Sequence, residues 1–328
     1  MASRSKSRSA PVGPSPFAVE AAPLPREKFS DPQRTAAGEE RASVALTRLD
    51  TLWLNTGTLC NLACATCYIE SSPTNDALVY LSAKDARPFL GQAQEMRTRE
   101  IGFTGGEPFM NPEMLVMLED VLESGFEALV LTNAMKPMRR HEAALLSLRE
   151  AFGAKLTLRV SLDHHSQTVH EAERGARSWE PAMDGLRWLS AHKFSIAVAG
   201  RLLPGEGEIE ARDAYGALFA AEGIQIDAHD AARLVLFPEM DAEKDVAEIT
   251  TACWDILGKS PADIMCASSR MVIHRKGEPA PRVVACTLIP YDRGFDFGDT
   301  LDEASREVSL NHPHCARFCV LGGASCSG

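Results

Sequence analysis

Positive charge is scarce in this chain: 34 Lys and Arg stand against 45 Asp and Glu, a formal net charge of −11 over 328 residues. An anionic surface disfavours nonspecific attachment to nucleic acid or to an anionic membrane, since either needs a basic face. Long apolar runs are missing too. No uncharged stretch approaches the roughly twenty residues of a membrane helix, and the N-terminus lacks the apolar core of a secretion signal. The expectation is a cytoplasmic protein with no nucleic-acid and no membrane partner. Residues 1–45, rich in Ser, Arg, Pro and Ala, carry no sustained apolar period, which predicts a mostly disordered leader. Its Arg4, Lys6 and Arg8 leave a targeting role open, against which stands the poorly helical Pro-rich stretch that follows.

Hydrophobic residues make up 45% of the chain, enough to bury a core. Nine cysteines exceed what packing needs, and in a reducing compartment they read as metal ligands before disulfides. Three of them, Cys60, Cys64 and Cys67, share one short loop after a strand-like run. A structural zinc site closes with four ligands, and a cubane iron–sulfur cluster also usually takes four thiolates. Three clustered thiols therefore leave one iron open to a small molecule. The alternatives are buried or disulfide-forming cysteines, or a zinc site with a fourth ligand from elsewhere.

From residue 48 onward strand-like runs alternate with longer helical ones, the rhythm of parallel strands joined by helical crossovers. Six strands are expected near 50–55, 100–104, 127–132, 156–162, 194–200 and 232–237. The helices between them are expected near 82–98, 112–124, 139–151, 180–192 and 207–222, with Ser82 as an N-cap, Pro112 in a first turn, and Gly125 and Gly223 at C-termini. Six units are too few to close an eight-stranded barrel. The fold class is thus α/β, a partial (β/α)6 barrel with parallel strands over 46–240, plus a small Cys-rich C-terminal domain over 241–328 containing a β-hairpin. In β/α barrels working residues gather at the carboxyl ends of strands. Here Cys60 to Cys67 follow the first strand, Gly105 to Pro108 the second, Asn133 the third and Asp163 the fourth.

The C-x3-C-x2-C loop, followed about forty residues later by Phe103-Thr104-Gly105-Gly106-Glu107-Pro108-Phe109, resembles the radical S-adenosylmethionine (radical SAM) superfamily. The resemblance implies a 4Fe–4S cluster on Cys60, Cys64 and Cys67 whose open iron chelates SAM. It further implies reductive cleavage to a 5′-deoxyadenosyl radical that abstracts hydrogen from a substrate. Neutral side chains offer no such oxidant, so the protein supplies binding, orientation and exclusion of solvent. By resemblance, Gly105, Gly106, Glu107 and Pro108 receive the methionyl ammonium, with the Glu107 carboxylate suited to that cation. Asn133, Ser161 and Asp163 approach the ribose and methionyl parts, and Arg174 offers a guanidinium fork to the SAM carboxylate, Arg177 being a substitute. Taken alone, these residues also fit strand-end turns and surface arginines. One departure from the pattern is Thr66, where many relatives carry an aromatic residue near the adenine.

Six cysteines lie beyond residue 250: Cys253, Cys266, Cys286, Cys315, Cys319 and Cys326. Met271–His274 and Arg282–Ala285 read as a hairpin flanked by Cys266 and Cys286. With the later cluster this resembles the SPASM or shorter twitch extension, which carries auxiliary iron–sulfur clusters. The expected auxiliary ligands are Cys266, Cys286 and two from Cys315, Cys319 and Cys326, with two clusters or a zinc site as alternatives. Cys253 fits core packing. His164, His165 and His170 near the fourth strand end are candidates for proton exchange, and His312 and His314 for metal ligation or a turn. The implied partners are an unidentified substrate (peptide, sugar, lipid or cofactor precursor) and a one-electron donor such as flavodoxin or ferredoxin. The rivals are a noncatalytic iron–sulfur electron-transfer or sensing protein and a zinc-stabilised binding module.

Overall fold

The computed structural model describes residues 13–324, so Cys326 lies outside the described residues. The apolar runs fold as their rhythm predicts. A two-residue strand, β1 (Ser43–Val44), precedes the six expected strands: β2 (Thr51–Asn55), β3 (Glu100–Thr104), β4 (Glu127–Thr132), β5 (Leu156–Ser161), β6 (Ser195–Arg201) and β7 (Leu234–Phe237). They pair in parallel in that order, β2 through β7. Parallel strands are covered on both faces, and β2 is accordingly buried at every position.

The crossovers carry α1 (Ala83–Glu95), α2 (Met114–Glu123), α3 (Lys136–Arg139), α4 (Glu142–Phe152), α5 (Gln167–Arg174), α6 (Trp179–Ala191) and α7 (Glu208–Ala221). Ser82 caps α1 as expected, its side chain accepting from the Asp85 N–H. Ala83, Ala86, Phe89, Leu90 and Ala93 form the buried stripe of that helix at three- and four-residue spacing. Pro112 precedes α2 instead of opening it, because Asn111 and Glu113 form the turn ahead of Met114. Gly125 and Gly223 both take positive φ, +92° and +66°, at helix ends. The short helices α3 and α5 have no counterpart in the sequence rhythm. None of the helices among the described residues is long and apolar enough to cross a membrane.

One expectation about domain organisation needs correction. Residues 13–45, expected to be a disordered leader, are packed: Phe17 is fully buried, and Arg41 donates to the carbonyls of Asp31, Arg34 and Leu310 and pairs with Glu248 at 2.5 Å. Backbone bonds also tie Leu24 to Glu243 and Ala42 to Ile249. Such a segment is held by isolated anchors and main-chain pairing, which leave no periodic trace. The expected hairpin forms from β8 (Ser269–Ile273) and β9 (Arg282–Val284) and joins the main sheet. β8 pairs in parallel with β2, so the sheet runs β10-β9-β8-β2-β3-β4-β5-β6-β7, with β10 at Asp296–Gly298. A last strand, β11 (Val308–Ser309), pairs with β1. The nine-stranded sheet remains open, its edges being β10 and β7.

Candidate active site at the carboxyl ends of the strands

Immediately after β2 the chain enters the cysteine loop, and Cys60, Cys64 and Cys67 all line one cavity at the carboxyl ends of the barrel strands. Main-chain N–H groups point at two of the sulfurs, Leu62 N–H at Cys60 Sγ (3.4 Å) and Ser71 N–H at Cys67 Sγ (3.3 Å). Burial pushes the Cys60 thiol up to about 12, with the neighbouring Glu107 adding to the shift, and burial raises Cys64 as well. Both are therefore protonated near neutrality, and a metal would have to displace those protons. Tetrahedral zinc with ~2.3 Å Zn–S bonds holds its sulfurs within about 4 Å of one another. Among the described residues, the single trio of ligand atoms mutually within 4.8 Å is His164, His165 and Glu206, not these thiols. A cubane gives each thiolate a different iron, and so suits the wider spacing.

The turn after β3 presses against that loop. A Cβ on Gly106 would lie 2.3 Å from the Leu59 carbonyl oxygen, and Gly105, at φ +137°, would place one 2.5 Å from the Gly57 oxygen. Both glycines line the cavity. The Glu107 carboxylate, buried to 1% exposure, accepts from Asn133 N–H (2.8 Å), Thr132 Oγ1 (2.9 Å) and Phe109 N–H (3.2 Å), so it braces two strand ends. Burial raises its pKa to about 7 against the pull of those donors. Pro108 opens a short 3-10 turn and is likewise buried away from the cavity wall.

Asn133, Ser161, Asp163 and Arg174 do reach the cavity. Asn133 uses its amide on Asn61 Oδ1 (2.9 Å) and accepts from Met135 N–H (3.1 Å). Arg174 donates through its Nε and Nη2 to the two oxygens of Asp163 at 2.5 and 3.1 Å. The pair is buried; the guanidinium holds the Asp163 carboxyl low against the opposing effect of burial. Arg177 is exposed and takes no part in the wall.

The sequence reading missed a buried network on the same wall. Glu173 Oε1 accepts from the Thr66 N–H (2.9 Å) and hydroxyl (2.7 Å), and Arg201 donates to the Thr66 hydroxyl (2.7 Å) while pairing with Glu173 (3.3 Å). Ser15 donates to the other Glu173 oxygen at 2.6 Å, and the Phe17 ring lies 4.2 Å from the Arg201 guanidinium. Thr66, the departure from the motif, was the one signal available: a small hydroxyl there lets a carboxylate and a cation close over the loop. His164, in contrast, is satisfied, accepting from Ser166 N–H at 2.9 Å and facing Glu206 at 3.3 Å; neither it nor His165 or His170 lines the cavity.

A second, smaller cavity lies between the hairpin and a π-helical turn over Cys315–Leu321. Cys266, Cys286, Cys315 and Cys319 all line it, Cys315 and Cys319 being spaced to share one helix face. Burial pushes Cys266 up to about 11 and raises Cys315 further, the thiols of Cys286 and Cys266 adding to the latter shift. His314 lines this cavity too, whereas His312 does not, and Cys253, at the start of α8 (Cys253–Leu257), faces Thr250. Leu288 lines both cavities.

Comparison with known proteins decides the family. The model of the radical SAM superfamily matches residues 54–218, half of the chain. The chain belongs to the radical SAM superfamily. Membership implies a 4Fe–4S cluster and SAM as cofactors, and the three-thiol loop beside a glycine turn fits that pair on the donor chemistry alone. Among curated radical SAM relatives, the chain is 31% identical over 141 residues to the antilisterial bacteriocin subtilosin biosynthesis protein AlbA of Bacillus subtilis, covering 43% of this chain and 30% of AlbA. It is 25% identical over 138 residues to the mycofactocin maturase MftC of Mycobacterium ulcerans, covering 42% of this chain and 36% of MftC. The matches thus span about a third of either relative. In fold it is similar to SuiB of Streptococcus suis bound to S-adenosylmethionine, with a TM-score of 0.55 at 12% identity over 84% of this chain and 68% of SuiB. SuiB has also been solved with its precursor peptide SuiA.

Proposed function

We propose that this chain is a radical SAM enzyme that abstracts a hydrogen atom from a peptide substrate. Cys60, Cys64 and Cys67 would hold the 4Fe–4S cluster, and Cys266, Cys286, Cys315 and Cys319 an auxiliary one. When bound and reduced, the first cluster supplies the electron that cleaves SAM to the hydrogen-abstracting 5′-deoxyadenosyl radical. The chain's own residues do the positioning. Gly105 and Gly106 let backbone approach the ligand without a side chain between them. Glu107 fixes the ends of β3 and β4 so that Asn133 presents its polar tip, and Ser161 adds a hydroxyl from β5. The buried Asp163–Arg174 pair keeps the guanidinium at the cavity wall, in position for a ligand carboxylate at its remaining donor. Phe237, Met240, Leu288 and Phe318 supply an apolar flank that excludes water from a reactive intermediate.

The observation that carries this reading is that three thiols, two close-approach glycines and the polar ends of β4 and β5 converge on one cavity. A peptide substrate is supported by the relatives: AlbA serves bacteriocin biosynthesis and MftC mycofactocin maturation. Leu288 is a wall of both cavities, so the two sets of cysteines would hold their clusters in adjoining sites. A flavodoxin or ferredoxin would supply the initiating electron. The test is anaerobic reconstitution with iron and sulfide, then SAM and dithionite, with 5′-deoxyadenosine measured in the presence of candidate precursor peptides. Release that rises with a peptide supports the reading; no cleavage by a fully loaded protein would favour a noncatalytic electron carrier.

A further inference from the structure

Arg270, the second residue of β8, is a cation with no anion among the described residues. It is fully buried, and its guanidinium donates to four main-chain carbonyls: Cys266 (2.6 Å), Ser269 (2.7 Å), Ala304 (2.8 Å) and Arg306 (2.8 Å). Among the described residues no carboxylate lies within ion-pair distance of it. A second cation, Arg306, sits over the same Phe297 ring, the two guanidinium carbons being 5.6 and 4.3 Å from its centroid. An uncompensated buried charge costs several kcal/mol, and carbonyl dipoles offset only part of that. The Arg270 Nη1 donates to the main-chain carbonyl of Cys266, a residue that lines the four-cysteine cavity, which puts the missing anion on the side of that cavity.

We propose that Arg270 is the counter-cation of the C-terminal iron–sulfur cluster and that its fixed charge raises the reduction potential of that cluster. The inference rests on the reading that Cys266, Cys286, Cys315 and Cys319 hold a cubane. Such a cluster, with two ferric and two ferrous irons, four sulfides and four thiolates, carries a net charge of −2 and becomes −3 on taking one electron with no proton. A nearby positive charge stabilises the −3 state more than the −2 state, and the low dielectric around β8 magnifies the difference. Arg270 touches a ligand's own carbonyl, so it shifts with neither solvent nor substrate.

The experiment uses the full chain carrying Cys60→Ala, Cys64→Ala and Cys67→Ala, so that the C-terminal cluster alone is titrated. Iron and sulfide are counted after anaerobic reconstitution, and the midpoint is read by EPR during reductive titration. Arg270→Gln is expected to change the oxidised-to-reduced ratio at the parent midpoint at least tenfold, a downward shift of about 59 mV for one electron. Arg270→Lys, which keeps the charge, restores the parent value; a role limited to bracing carbonyls would not be rescued in potential by charge. Should Arg270→Gln fail to fold, Arg306→Glu decides: this exposed position offers Arg270 a carboxylate, and the potential falls. A folded variant of either kind that holds about four irons and titrates at the parent midpoint overturns the role of Arg270. Absence of iron from the parent itself overturns the cluster reading instead.

Discussion

Substituting Gly106 by Ala tests whether the glycine turn sets the geometry of the cysteine loop. The added Cβ would sit 2.3 Å from the Leu59 oxygen, 2.6 Å from its carbon and 2.8 Å from the Thr58 oxygen. All three are backbone atoms, so no side chain can rotate away. To restore 3.0 Å the Leu59 carbonyl must retreat by 0.7 Å, the difference from 2.3 Å, and Cys60 is the next residue. The neighbouring bonds resist: Glu107 N–H donates to Leu59 O, Gly106 N–H to Gly57 O, and Cys60 N–H to Ser72 O. Overpacking of this kind costs about 1–3 kcal/mol. The backbone at Gly106 is not in the left-handed region, so Ala itself is tolerated and the cost falls on the loop. The expected outcome is a folded protein, slightly less stable to denaturant, that binds about four fewer irons after reconstitution while the C-terminal cluster is retained. Gly91→Ala, within α1 and with nothing within 4 Å of its Cβ, is the control and should gain about 1 kcal/mol. If Gly106→Ala loads the N-terminal cluster fully and unfolds like the parent, the close approach does not position Cys60.

Single Ala substitutions at Cys266, Cys286, Cys315 or Cys319 should each remove about four irons per chain, whereas Cys253→Ala and Cys326→Ser leave the count unchanged; iron loss in Cys326→Ser would displace one of the four ligands. Glu107→Ala strips the acceptor from three buried donors and should destabilise the protein by about 3 kcal/mol or more in chemical denaturation, with Glu107→Gln intermediate, because an amide keeps one accepting oxygen; equal stability of all three would show the turn held by other bonds. His170 is fully buried, neither ring nitrogen has a hydrogen-bond partner among the described residues, and burial lowers its pKa to about 4. The unfolded chain takes up a proton below about 6.5 and the native one does not until about 4, so stability is complete above that window and falls across it by about 3 kcal/mol as pH drops. His170→Phe, packed against Trp179, should flatten part of that slope, and an unchanged urea midpoint profile between pH 7 and 4 would refute the assignment.

What could be read in advance depended on how each part signals itself. Strands β2 to β7 were legible because a parallel strand buried on both faces is a short apolar run between turn residues, and the motif residues lie at carboxyl ends because the topology puts every loop of one kind on one rim. The N-terminal segment was illegible for the opposite reason. Phe17, Arg41 and a few main-chain bonds hold it, and single anchors have no period. Glu107 and Arg174 show a further limit: motif position placed both beside the cavity, but the residue type alone could not show that the carboxylate also braces Thr132 and Asn133, or that the guanidinium also pairs with Asp163. Cys266, Cys286, Cys315 and Cys319 line one cavity across 54 residues of chain, a convergence that spacing cannot reveal. Arg270 carried no sequence signal at all: its burial and its four carbonyl partners come from folding. The charges in this protein that sequence leaves ambiguous are those whose partners come from other elements, and these are the ones that set the two cavities apart chemically.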